Sequence, residues 1–90
     1  MNTQEKIKKQ INEMSDQLAV LEAKAEKAKA DVKLKYKEKL ASLRAKRNDM
    51  KEKYDDLAGA ADEKWEEAKE TFSSASKSFK EGFNELKSLF

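Results

Sequence analysis

The groups able to do chemistry in this chain are carboxylates and lysines. Asp62/Glu66, Glu63/Glu67 and Glu66/Glu70 lie four residues apart. On a helix that spacing puts each pair on one face, a geometry that could grip a divalent cation. Nothing in the chain resembles an EF-hand loop, and the Glu-x-x-His step of a di-iron bundle is ruled out because the chain has no His. Cys is absent too, which removes the thiol nucleophile along with the imidazole base and the common N/S zinc site. A carboxylate acid/base pair needs a sheltered cleft to shift its pKa. The reading is therefore a solvated acidic face on a non-enzymatic protein, with no metal site and no cofactor.

The second feature is a concentration of positive charge. Residues 24–47 hold ten Lys/Arg against Glu26, Asp31 and Glu38, whereas residues 48–70 hold nine acidic residues against four basic. Lysines at such density can bind phosphate by releasing counterions, so nucleic acid is a candidate partner of 24–47. Against this, the lysines point around the whole helix, and Tyr36 belongs to an apolar stripe. The favoured reading is a solubilising surface that steers pairing with the acidic segment. The net charge of +2 demands no anionic partner.

These groups need helices to carry them. No Pro, two Gly, 42% charged and 38% hydrophobic residues suit a long exposed helix better than a globule. Asn2 followed by Glu5 is a capping pattern. Ile7, Ile11, Met14, Leu18, Leu21, Ala25, Ala28 and Val32 then recur at steps of four and three, a heptad stripe. It continues through Tyr36, Leu40, Leu43, Arg47, Met50, Tyr54 and Leu57. Gly59 is the one plausible break, and the acidic residues after it favour the positive end of a new helix. In the last third Trp65, Phe72, Phe79 and Leu86 recur every seven residues, with Ala68, Ala75, Gly82 and Leu89 three positions after each. Phe83 and Phe90 widen that face, while the serines of 73–78 lower its helix propensity.

The spacing predicts an all-α antiparallel hairpin with coiled-coil packing: a long helix about 3–57, a turn about 58–60 and a second helix about 61–88. Folding at Gly59 sets Met50 against Ala68, Leu43 against Ala75, Tyr36 against Gly82, Leu40 against Phe79, Arg47 against Phe72 and Tyr54 against Trp65. The long helix would span about 85 Å and the short one about 45 Å. The apolar stripe 7–28 is then uncovered, and such a stripe calls for a partner. Self-association through Ile7, Ile11, Met14, Leu18 and Leu21 follows as an expectation, with a homodimer favoured. An alternative use of 61–90 is as an amphipathic helix on a membrane surface, its aromatic row in the acyl boundary. No Cys, an N-terminus without the apolar core of a signal peptide, and a longest uncharged stretch at 71–76 lead to the expectation of a cytoplasmic protein.

The run Lys24-Ala25-Glu26-Lys27-Ala28-Lys29-Ala30-Asp31-Val32-Lys33, the step Leu43-Arg44-Ala45-Lys46-Arg47-Asn48-Asp49 and the segment Ala61-Asp62-Glu63-Lys64-Trp65-Glu66-Glu67-Ala68-Lys69 resemble small bacterial coiled-coil-domain and stress-response proteins of unknown biochemical activity. The resemblance covers about residues 15–90, and the serines of 73–78 depart from it. It implies a cytoplasmic, non-enzymatic helical protein and carries over no catalytic or binding residues.

Overall fold

Asn2 opens the first helix as its sequence suggests: its side-chain oxygen accepts a hydrogen bond from the Glu5 N–H at 2.8 Å. The computed structural model describes residues 2–89. It contains three helices, α1 (Thr3–Glu26), α2 (Ala30–Asp56) and α3 (Asp62–Lys87), and each packs against the other two. The bundle measures 48 × 20 × 18 Å.

The expected single helix over 3–57 is therefore two helices. The chain reverses at Lys27-Ala28-Lys29, where neither Gly nor Pro marks a break. Magnitudes explain why it turns. Ile7, Ile11, Met14, Leu18 and Leu21 are all buried in the chain's own core, at 7% exposure or less. Each is worth about 1.5–3 kcal/mol on burial. Interrupting one helix forfeits a few backbone hydrogen bonds of net about 0.5–1.5 kcal/mol each. Burial wins, and α1 folds back. The five residues expected to form an interface between chains thus lie inside one chain, and the 85 Å arm is absent.

Among the described residues, the thirteen buried hydrophobic ones form one cluster, which adds Tyr36, Leu40, Leu43, Met50, Trp65, Phe72, Phe79 and Leu86 to those of α1. Ala68, Ala75 and Tyr54 pack half-buried at its edge, as do Val32, Leu57 and Phe83. The chain thus builds a core from modest apolar content because its few large side chains all fall on inward faces. Ser76, from the serine-rich segment, is buried as well, and that segment is continuous helix. Phe90 lies outside the described residues.

Gly59, at φ +83°, sits midway in the connection from α2 to α3, in the left-handed region. Beside this turn Tyr54 meets Trp65, ring centroids 5.0 Å apart and tilted by 58°. Further from it, the large-to-small matching is shifted. A Cβ on Gly82 would meet Leu43 Cδ2 at 2.6 Å, so Leu43, not Tyr36, occupies the space that this glycine leaves. Leu43 is seven residues beyond Tyr36, a displacement of one heptad for this contact. A repeating stripe offers both registers, and this contact takes the one displaced by a heptad. Arg47 turns to α1 instead of Phe72, donating to Ser15 Oγ at 3.5 Å and to its neighbour Asn48 at 3.1 Å.

Candidate functional site

The acidic pairs at the start of α3 do not converge. Asp62, Glu63, Glu66, Glu67 and Glu70 are all exposed. Glu66 accepts a hydrogen bond from the Thr3 hydroxyl of α1, and Glu67 pairs with Lys64 at 3.5 Å. Among the described residues no group of three or more His, Cys, Asp or Glu side chains is placed to hold a metal ion. Asp62 and Glu66 instead line a shallow polar hollow of about 280 Å³ together with Thr3, Lys6, Trp65 and Lys69. Acidic residues in the first turn of α3 complement the positive end of that helix, which is a structural role.

Antiparallel packing sorts charge toward the two tips of the bundle. The tip at the α1–α2 turn gathers residues 24–39 and 80–89, with nine basic and five acidic side chains. The opposite tip gathers residues 2–10 and 49–67, with six basic and nine acidic. Part of the basic segment is spent on internal ion pairs: Arg44 with Glu22 at 2.7 Å and Lys39 with Glu85 at 3.3 Å. Both pairs are solvent-exposed, so each adds little to stability, about 0–1 kcal/mol. They tie α2 to α1 and to α3. At the turn itself, Lys24, Lys27 and Lys29 surround an open groove of about 400 Å³ whose remaining lining is Ala28, Val32 and Leu89. A second groove of similar size, mixed in charge, runs along Glu22, Lys33, Lys37 and Arg44.

The lysine cluster of this groove is a product of the fold. The sequence places these lysines in one basic window, but the reversal at Ala28 is what sets them around an apolar floor beside the end of α3. That reversal was the signal missing from the sequence.

Of the aromatic row considered for membrane contact, Trp65, Phe72 and Phe79 face inward and Phe83 is half-buried. Trp65 and Phe72 are 1% exposed and Phe79 is fully buried, because α1 and α2 cover that side of α3. Trp65 and Phe72 are stacked at 6.4 Å. The Trp65 indole N–H is buried with no hydrogen-bond acceptor among the described residues. Burial also pushes the Tyr36 phenol above its ordinary pKa. Among the described residues, the large hydrophobic side chains left exposed are Val20, Leu34 and Leu89. Among the described residues no helix is long and apolar enough to cross a membrane.

No family model, no curated protein and no solved structure matches this chain.

Proposed function

We propose that the chain is a non-enzymatic interaction protein whose working surface is the lysine-rich tip at the α1–α2 turn, and that its partners there are polyanionic. The observation that carries this reading is the groove in which Lys24, Lys27 and Lys29 surround Ala28, Val32 and Leu89. Three cations in a small space favour an anionic partner, and the apolar floor gives that partner something to cover. In this reading α2 and α3 act as a coiled-coil hairpin that α1 completes. Scaffolding or shielding of other molecules under stress in a bacterial cytoplasm, the role suggested by the resemblance, would run through the same tip. Use of 61–90 on a membrane would first require the bundle to open.

Immobilised heparin, a polyanion, tests the reading. The wild-type protein should be retained and released by salt. The triple variant Lys24→Gln/Lys27→Gln/Lys29→Gln should elute at clearly lower salt. Lys51→Gln/Lys53→Gln/Lys64→Gln, which removes the same charge from the acidic tip, should leave elution nearly unchanged. Equal shifts for both variants would refute a defined site and leave only net charge.

A further inference from the structure

The turn between α1 and α2 is made of residues that prefer to be helical. Lys27, Ala28 and Lys29 are good helix formers, and among the described non-glycine residues none has a positive φ. Lys27 already sits at helical angles, φ −92° and ψ −5°. Lys29, with ψ at 156°, has left the helical path. It caps α2 without any side-chain hydrogen bond. Lys29 and Lys33 also put positive charge at the positive end of α2, where the helix dipole disfavours it, and Asp31 in the first turn offsets only part of this. In the turn the Lys24 and Ala25 carbonyls accept tight three-residue bonds from the Lys27 and Ala28 N–H groups; straightening would replace these by regular helical bonds and join the remaining end groups of α1 and α2. The apolar stripe would stay in phase: Leu21, Ala25, Ala28, Val32 and Tyr36 follow steps of four, three, four and four.

We infer that a second copy of this chain is a partner, bound by exchange of α1. In the exchanged form residues 3–56 make one helix. The α1 segment of each copy leaves its own α2 and α3 and takes the same place on the other copy. Every core contact of Ile7, Ile11, Met14, Leu18 and Leu21 is kept, but made between chains. Only the turn changes conformation, and it changes toward what its residues prefer. Short connections between packed elements favour such exchange. The closed monomer dominates when dilute, because association costs translational and rotational freedom. High concentration, or refolding at high concentration, populates the dimer.

The inference is independent of what the basic tip binds, and its test does not use heparin. Thr3 and Glu66 are hydrogen-bonded between α1 and α3, and the chain has no Cys of its own. The double variant Thr3→Cys/Glu66→Cys is refolded at millimolar concentration, separated by size with mass from light scattering, and oxidised. A species of twice the 10.3 kDa chain mass is expected. On a non-reducing denaturing gel that species should remain covalently dimeric, while the monomer fraction remains a monomer closed on itself. Unsubstituted protein refolded in parallel should give the same dimer peak. Replacing the turn by Lys27→Gly/Ala28→Asn/Lys29→Gly should weaken dimerisation by a few hundredfold, roughly fivefold for each glycine in each straightened turn. Absence of any doubled-mass species overturns the inference. So does a dimer whose disulfides all lie within single chains, which would mean closed bundles sticking side by side.

Discussion

The two turns of the bundle do the same geometric job with opposite materials. Between α2 and α3, Gly59 takes a left-handed φ of +83°, and Asp62 and Glu63 follow in the first turn of α3. Each feature opposes continuation of α2 or favours a fresh start. Between α1 and α2, Lys27-Ala28-Lys29 holds no glycine, and the first turn of α2 carries one acid, Asp31, with Lys29 and Lys33 on either side; neither α2 nor α3 has a side-chain cap. The first reversal exists because the α1 stripe needs cover, and the second is also encoded locally. A turn imposed by packing alone is held only while that packing lasts, which makes the α1–α2 connection the part of the fold with two available conformations.

This contrast can be broken most severely at α1. Leu18 and Leu21 are 2% and 1% exposed. Changing both to Glu buries two unpaired charges, at a cost of several kcal/mol. The expected result is loss of the cooperative thermal transition followed by circular dichroism. Had α1 been a protruding arm, the same change would alter only the mass of the assembly and leave the melt intact.

Smaller effects sharpen the comparison at the turns themselves. Gly59→Ala should destabilise the protein by about 1–2 kcal/mol, since a Cβ is disfavoured at that φ, although no atom lies within 4 Å of where it would sit. Lys29→Asp should act in the other direction. The extended backbone of Lys29, at φ −68° and ψ 156°, suits a capping carboxylate. A stabilisation of about 1 kcal/mol is expected by urea titration, and the variant should also favour the closed monomer. If both substitutions moved stability equally, the two turns would not differ in the way described.

Much of this was legible in the sequence, and what was missed has one origin. Helical class, the Asn2 cap, the Gly59 turn, the Tyr54–Trp65 contact and the inward row Trp65, Phe72 and Phe79 all come from local signals: spacing, capping chemistry and a glycine. The reversal at Ala28 has no local signal, because its residues propagate helix and the stripe runs through them. The register of Gly82 against Leu43 was hidden for a related reason, since heptad sequences fit themselves at more than one offset. The lysine groove depends on the missed turn and was invisible with it.

The smallest expected effect concerns Tyr36. Its phenol is fully buried and its pKa is raised, which favours the neutral form in the folded state. The corresponding stability is present below the ordinary tyrosine pKa and is lost as pH rises toward and through the raised value. Melting temperatures of wild type and Tyr36→Phe should run parallel near neutral pH. Above about pH 10 the wild type should fall more steeply.

The central claim is that α1 lies along α2 of its own chain. Spin labels at the exposed positions Asn12 and Lys51, each introduced through cysteine, test it directly in dilute solution. Folded back, the labels fall within or near the 20 Å width of the bundle. Pulsed electron resonance should return a distance in that range. A distance of about 58 Å, the length of the intervening residues as one unbroken helix, would contradict it.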